Sequence, residues 1–289
     1  SVIVFLFIHL IPGDIIDVQV GTTMGITPQQ MQAMREYYGL DKPLHIQFLS
    51  YLRNILRGSL GESIQRHRAV GLEIRDNIGS TLVLTLAGMS IAVFVGFLLG
   101  LVAALRPNSW VDTLSMSIAN VGVAVPAFWL GILLILLFAL QLGWLPATGQ
   151  GGGRRLILPA ITIGFGYSAI IARLVRSNLV QVLGREYVLT ARAKGLAERV
   201  VLFRHALRNA LIPVITMIGM QFGNMMASAV VVEMLFARTG LGRLLVTAIL
   251  QRDYPLIQGT IFVFGSVYIL LNLLIDLLYS VVDPRIRYT

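Results

Sequence analysis

Four long stretches without a charged residue dominate this sequence. They are Leu82–Leu105, Ser115–Leu142, Ala210–Val232 and Leu256–Ile275. Each one provides the roughly 20 apolar residues that a helix needs to cross a bilayer core of about 30 Å. A fifth stretch, Leu156–Ala172, is shorter, and it continues past Arg173 to about Val182. The pattern predicts an all-α, polytopic membrane helical bundle.

The composition agrees with a membrane protein. Hydrophobic residues make up 56% of the chain and charged residues only 13%, compared with roughly 45–50% and about 25% in soluble domains. A chain this apolar is not disordered. The absence of cysteine excludes a disulfide scaffold, a thiolate metal site and a cysteine nucleophile. The four histidines are scattered without metal-ligand spacing, so no metal site is predicted.

The first residues predict half of a further span. Val2–Ile11 is apolar but short, and it ends at Pro12-Gly13-Asp14. A signal peptide is the alternative, but the stretch has no basic start and no small-residue cleavage site. We therefore expect six transmembrane helices, the first one truncated.

Basic residues set the expected orientation. The segment between the fourth and fifth spans carries six cations: Arg185, Arg192, Lys194, Arg199, Arg204 and Arg208. Arginine and lysine in short loops mark the cytoplasmic side, so this segment and both termini are expected there. Topology then explains the net charge of +9. No aromatic-interleaved basic patch accompanies it, so no nucleic acid is predicted as a partner.

The domain boundaries follow from the spans. Residues 1–11 are the end of the first helix, residues 12–80 form an external region, and residues 81–289 form the transmembrane domain with a cytoplasmic loop at about 183–209. In the external region we expect a short helix from Pro28 to Gly39 and an amphipathic helix over Pro43–Leu56. A third helix over Val70–Ile78 is expected along the membrane surface. The region is expected to cap the bundle or to dock an external partner.

The cytoplasmic loop carries the strongest local signal. Its pattern predicts two short helices separated at Gly195, where a left-handed helix end is easiest. Small side chains in Thr190–Ala193 allow close approach to another protein, and the neighbouring arginines can reach carboxylates there. A solvated basic loop without a partner is the alternative.

This loop resembles the EAA motif of ABC importer permeases of the dipeptide, oligopeptide and nickel family. The resemblance is carried by Glu186, Tyr187, Thr190, Ala191, Arg192, Ala193, Lys194, Gly195 and Leu196, followed by Arg204–Pro213. It extends over the whole chain, for example at Leu10–Asp14, Pro126–Trp129, Gly240–Leu245 and Arg252–Pro255. One departure is Ala237-Arg238-Thr239, which stands where the family usually has a Trp-Pro pair.

The resemblance implies an ABC type I importer permease fold and a role as the membrane subunit of an ATP-driven peptide importer. Implied partners are a second homologous permease, two cytoplasmic ATPase subunits, an external solute-binding protein, a di- or oligopeptide substrate and membrane lipid. The chain has no Gly-x-x-x-x-Gly-Lys-Ser/Thr phosphate loop. It is therefore expected not to be an enzyme and to hold no cofactor, since ATP and Mg²⁺ bind the ATPase subunits.

Several alternatives remain at this point. The same machinery carrying glutathione or a nickel chelate is the alternative for the substrate. The resemblance implies the bacterial or archaeal cytoplasmic (inner) membrane as the location. A stand-alone secondary transporter or channel would need midplane coupling residues and usually an inverted repeat. A membrane-embedded enzyme would need a catalytic motif. The sequence shows none of these.

Polar residues inside the spans give further candidates. A lone carboxylate in a bilayer is expected to be paired, so Asp276 is predicted to form an ion pair with Arg173 or Arg176. Gln221, Asn224 and Ser228 share one helix face by their spacing, and they are predicted to line the translocation path or to bond neighbouring helices. The Gly-x-x-x-Gly pairs in the second and fifth spans are read as packing motifs.

A charged cluster follows the fifth span. Its members are Glu233, Arg238, Arg243, Arg252 and Asp253. The resemblance places this connection at the outer side, where it dips toward the passage or contacts the binding protein. On the basis of charge alone, this connection is predicted to be a solvated loop.

Overall fold

The computed structural model of the protein describes residues 41–282 together with seven isolated earlier positions, which are 5, 29, 32, 33, 35, 36 and 39. In the last helix the side chains of residues 276 and 278–282 are not described. The predicted first helix, Val2–Ile11, and the predicted helix from Pro28 therefore lie outside the described residues except at those positions.

The described chain is almost entirely helical. Its helices are α1 (Leu44–Leu56), α2 (Val70–Leu105), α3 (Trp110–Ala124), α4 (Ala127–Leu134), α5 (Arg154–Leu183), α6 (Glu186–Ala193), α7 (Glu198–Val200), α8 (Leu207–Ala210), α9 (Ile212–Leu235), α10 (Leu241–Leu250) and α11 (Tyr254–Val282). Two π-helical stretches, Ile135–Gln141 and Val201–Ala206, follow α4 and α7. A two-stranded antiparallel hairpin joins β1 (Glu62–Ser63) to β2 (Arg68–Ala69) and pairs Glu62 with Ala69.

Four of the described helices are long and apolar enough to cross a membrane, or five spans if the bent pair α3–α4 counts as one. The single helices are α2, α5, α9 and the apolar part of α11. They coincide with the predicted stretches, so the membrane-bundle prediction is confirmed for the described part of the chain.

The third predicted span is broken rather than continuous. Trp110–Ala124 and Ala127–Gln141 are bent by 102° relative to each other, and the break lies at Pro126. Val125 is extended, with φ −89° and ψ 121°, because a proline disfavours the helical conformation of the residue before it. Proline also has no N–H to continue the helical hydrogen bonds.

The separate surface helix expected over Val70–Ile78 is wrong. These residues are the first turns of the 36-residue helix α2. The sequence between these residues and the span contains no proline that would stop a helix. Gly79 lies within the helix, and the space on its Cβ side is open. One glycine inside a helix costs only about 1 kcal/mol, which a helix of this length tolerates.

The chain forms two compact units. The first contains the described residues up to Gly79 together with Gly240–Val267, and the second contains Ser80–Thr239 with the chain from Tyr268. The core of the first unit joins α2 to α10 and α11 through Val70, Ile74, Leu241, Leu244 and Leu256. The core of the second is built mainly on α5, which packs against α3, α4 and α9.

Close helix packing in the second unit depends on glycine. A Cβ at Gly96 would lie 2.6 Å from the carbonyl oxygen of Ser168, and one at Gly100 would lie 2.6 Å from that of Ala172. Gly219 packs equally close to Ile275. Because real Cβ atoms do not approach so closely, the packing interpretation of both Gly-x-x-x-Gly motifs is confirmed.

Candidate functional site

The cytoplasmic loop of the sequence analysis forms a compact segment, here called the coupling segment (residues 186–210). Helix α6 ends at Ala193 and is followed by Lys194 and Gly195. The φ of Gly195, +77°, is left-handed. The Leu196 N–H donates to the Ala191 carbonyl, and the Gly195 N–H donates to that of Arg192. These two bonds are the Schellman helix end, so the predicted break at Gly195 is confirmed.

One face of α6 is anchored inside the second unit. Val188 and Ala191 are buried in a cluster with Leu179 and Val201, among others. The Tyr187 hydroxyl accepts a hydrogen bond from Asn209 Nδ2 at 3.0 Å. The helix is therefore held by packing along one face and by a side-chain hydrogen bond near its start.

Other side chains of the coupling segment are exposed. Leu189 is 52% exposed and Phe203 58% exposed, and Tyr187, Leu196 and Val200 are also open. The polar and small positions Glu186, Thr190, Ala193, Lys194 and Gly195 are exposed as well. These residues lie outside the helices long enough to span a membrane, so this mixed apolar and basic surface is available to a protein partner.

Arg192 has a partner within the chain. Its guanidinium meets the Glu198 carboxylate with two hydrogen bonds of 3.1 Å and 2.5 Å, which close across the Gly195 turn. The hydrogen bonds from Arg192 hold the pKa of Glu198 below its usual value. The arginines of this loop are predicted to reach a partner's carboxylates, but Arg192 already has an acceptor six residues away in its own chain.

The predicted path residues bond to one another. Asn224 Nδ2 donates to Gln221 Oε1 at 2.8 Å, and Ser228 Oγ donates to the Asn224 carbonyl. The Tyr167 hydroxyl lies 2.8 Å from Ser228 Oγ and ties α5 to α9. Gln221 is buried, whereas Asn224 is exposed. Only Asn224 thus presents an open amide on this face.

The two arginines of α5 are bonded to α3. Arg176 meets Asp112 with Nε and Nη2 at 2.5 Å each, and Asp112 is buried. Arg173 Nη1 donates to Asn120 Oδ1 at 3.3 Å. Asp112 lies 64 residues from Arg176 in the sequence, so no local pattern relates the two. The predicted pairing with Asp276 remains a prediction, since the side chain of Asp276 is outside the described residues.

Glu233 and Arg238 of the charged connection are buried in the second unit. Glu233 is fully enclosed and accepts a hydrogen bond from Thr81 Oγ1 at 2.6 Å. Arg238 is bonded weakly, at 3.5 Å to the Arg155 carbonyl and to Ser80 Oγ, and its Nε has no hydrogen-bond partner among the described residues. Burial lowers the pKa of the Arg238 guanidinium, while the Glu233 carboxylate acts in the opposite direction.

Asp253 is buried in the first unit and links distant parts of the sequence. One carboxylate oxygen caps α11 by accepting from the Leu256 N–H at 3.2 Å. The other accepts from Ser63 Oγ at 2.5 Å and from the Gln65 N–H at 3.3 Å. The β1–β2 hairpin is thereby fastened to the start of the last helix.

The remaining two residues of the charged connection differ from these three. Arg243 on α10 is exposed and Arg252 is half-buried, with a left-handed φ of +52°. The solvated-loop interpretation therefore fails for Glu233, Arg238 and Asp253, because all three are buried. Of the five residues, only Arg243 fits the description of a solvated loop position.

The long apolar helices are those of a multi-pass membrane protein, and the segment between two of them has an exposed side. Comparison with known families gives the particular class. Residues 96–288 match the model of the binding-protein-dependent transport system inner membrane component, and residues 1–85 match the model of the N-terminal region of such components. The chain belongs to this family and is the permease subunit of a binding-protein-dependent ABC importer.

Curated relatives agree over the full length. The chain is 45% identical over 288 residues to the glutathione transport system permease protein GsiC of Escherichia coli O6:H1, covering 100% of this chain and 94% of the relative. It is 44% identical to GsiC of Salmonella typhimurium with the same coverage.

Solved structures share the fold. The inward-facing MetNI methionine ABC transporter matches with a TM-score of 0.62 at 16% identity, over 73% of this chain and 96% of the other. A crystal structure of an amino acid ABC transporter with histidines matches with a TM-score of 0.56 at 17% identity, over 75% and 95%. The predicted ABC importer permease fold is confirmed. Because the ATPase of such importers is a separate subunit, this chain is not an enzyme.

Proposed function

We propose that this permease imports small peptides across the bacterial inner membrane, with glutathione as the leading substrate. Two ATPase subunits, a second homologous permease and an external solute-binding protein complete the proposed assembly. The observation that carries the mechanical part is the coupling segment. It is a short helix that is anchored from behind by buried Val188 and Ala191 and that exposes apolar residues outside the spans.

In this proposal an ATPase subunit binds the exposed side of the coupling segment. Leu189 and Phe203 supply apolar contact area there, and Lys194 supplies charge. Because the helix is packed against α5 and joined to the α8 region through Asn209, a displacement of α6 by the ATPase is transmitted to the spans rather than absorbed in a flexible loop. The membrane passage then opens alternately to the two sides.

Gly195 provides a direct test. Gly195→Val places a β-branched residue at φ +77°, a backbone conformation that favours glycine, and so distorts the Schellman end. Gly184→Ala is the matched control, because Gly184 lies in the same loop at φ −85°. We expect Gly195→Val to hydrolyse ATP in reconstituted transporters without substrate uptake, while Gly184→Ala transports normally. Normal uptake by Gly195→Val would refute the coupling role.

The substrate proposal is supported by the relatives named for glutathione transport, which match the chain throughout at 44–45% identity. Peptides of other lengths and a nickel chelate are the competing substrates. The test is uptake of labelled glutathione, a dipeptide and a chelated nickel ion by proteoliposomes containing the complete transporter and its binding protein. Glutathione should be carried fastest, and a transporter that carries only the dipeptide would correct the substrate while leaving the importer role intact.

For the path we propose that Asn224 faces the substrate and that Gln221 and Ser228 position it. The hydrogen bond from Asn224 to Gln221 supports this arrangement. Asn224→Ala should raise the substrate concentration needed for half-maximal uptake without changing membrane abundance. If the residues serve only helix packing, Ser228→Ala, which removes the bond to Tyr167, should be the more damaging change.

At the outer side, exposed Arg243 is the proposed contact for the solute-binding protein. Arg252 and Asp253, in the same unit as Arg243, are proposed to support this contact. Glu233 and Arg238 are proposed to have a supporting role in the second unit. In the inner leaflet, Arg173 is the proposed partner of Asp276, since Arg176 already has two bonds to Asp112. Asp276→Asn should lower the yield of folded protein, and full yield and uptake would refute the pair.

A further inference from the structure

Helix α1 has three different faces. The inner face, with Phe48, Tyr51 and Ile55, is half-buried, and the rings of Phe48 and Tyr51 lie 6.4 Å apart. This is the apolar face that the sequence predicts. A second, polar side with Gln47 and Asn54 lines a cavity of about 320 Å³ in the first unit.

The third face is unexpected. Ile46, Leu49 and Leu56 point away from the inner face, and all three are exposed, Leu49 by 62% and Leu56 by 87%. Arg53 lies among them, because the spacing 46, 49, 53, 56 follows one side of a helix. Arg57, directly after the helix, is exposed as well. We call this set the outer face of α1.

The charged residues of this helix and of the positions next to it are all basic. Residues 43–57 contain two arginines and no Asp or Glu, although the external region as a whole has as many acidic as basic residues. Helix α1 has 13 residues, which is too short to cross a bilayer. An exposed row of leucine and isoleucine with interspersed arginine and no acid is typical of helices that lie in the membrane interface.

We propose that the outer face of α1 binds an anionic lipid surface. The leucine and isoleucine side chains enter the boundary between headgroups and acyl chains, and the stems of Arg53 and Arg57 extend along them so that the guanidinium groups reach lipid phosphates. The half-buried inner face, packed against Phe5 through Phe48 at 5.2 Å between ring centroids, keeps the helix attached to the protein. This proposal does not depend on the coupling role or on the substrate.

The chain contains no cysteine, so a single one can report on each face. Leu49→Cys and Leu56→Cys label the outer face, and Asn54→Cys is the matched control on the polar side of the same helix. Each full-length variant carries an environment-sensitive fluorophore in vesicles of phosphatidylcholine with or without phosphatidylglycerol. Quenching by lipids with brominated acyl chains measures contact with the bilayer.

We expect quenching at positions 49 and 56 to exceed that at position 54 several-fold. It should be stronger with phosphatidylglycerol, and it should fall when Arg53→Gln and Arg57→Gln are added or when salt is raised. Equal, weak quenching at all three positions would overturn the proposal. Shielding of positions 49 and 56 only after addition of the solute-binding protein would overturn it in favour of a protein partner.

Discussion

The coupling segment and the charged connection after the fifth span resemble each other in sequence, but their charged side chains differ in burial. Both are rich in arginine and both contain a glycine that ends or begins a helix. In the coupling segment the charges and several apolar side chains are exposed. In the connection Glu233, Arg238 and Asp253 are enclosed, each with hydrogen bonds inside the chain.

The difference teaches that charge in a membrane protein loop has two uses. Enclosed charges fasten segments that are distant in sequence, as Asp253 fastens the hairpin to α11. Exposed charges leave the fold nearly unaffected and remain available to another molecule. Substitutions in the connection should therefore reduce stability, whereas those in the coupling segment should reduce transport.

The largest loss of stability is expected for Asp253→Ala. The change removes the cap of α11 and leaves the buried Ser63 hydroxyl and the half-buried Gln65 N–H without their acceptor, so we expect a loss of about 3 kcal/mol. Thermal unfolding of the solubilised transporter measures it. Asp76→Ala is the control, because Asp76 is an exposed partner of Arg68 and should change little. Equal melting temperatures of the two variants would contradict the distinction.

A smaller effect is expected for Glu233 and Arg238. Glu233→Gln keeps an acceptor for Thr81 but removes the negative charge near a buried guanidinium, at an expected cost of about 2 kcal/mol. Combining it with Arg238→Gln should cost less than the sum of the two single changes. Strict additivity in unfolding measurements would show that these charges do not interact. Arg243→Gln, at an exposed position, is the control.

Leu189→Ser tests the other side of the comparison. Leu189 is largely exposed, so the variant should unfold within ~0.5 kcal/mol of the parent. It should transport poorly, because it loses contact area proposed for the ATPase. The adjacent Val188→Ser should instead destabilise the chain, since Val188 is fully buried. ATP-driven uptake and melting temperature are measured for both. Loss of stability in Leu189→Ser with normal uptake would reverse the assignment of these two residues.

The sequence predicts the features that depend on local chemistry. Uninterrupted apolar length marks the spans, and the left-handed end of α6 follows from Gly195. It does not predict partners that come together only through packing. Asp112 and Arg176 are 64 residues apart and Ser63 and Asp253 are 190 apart, and no local pattern relates them. The outer face of α1 was missed because the inner face alone accounts for an amphipathic helix.

The smallest effect is expected at the exposed Arg192–Glu198 pair. The arginine holds the pKa of Glu198 below its ordinary value, so the pair stabilises the turn when the pH is above that ordinary value, and this contribution is lost as the pH falls through the lowered pKa. Glu198→Gln should therefore differ slightly from the parent in melting temperature at neutral pH and converge with it in acid. A difference that grows on acidification would mean that the carboxylate is not stabilised by Arg192. Because both side chains are exposed, uptake should respond to Glu198→Gln more than stability does, through the geometry of the turn that the ATPase is proposed to contact.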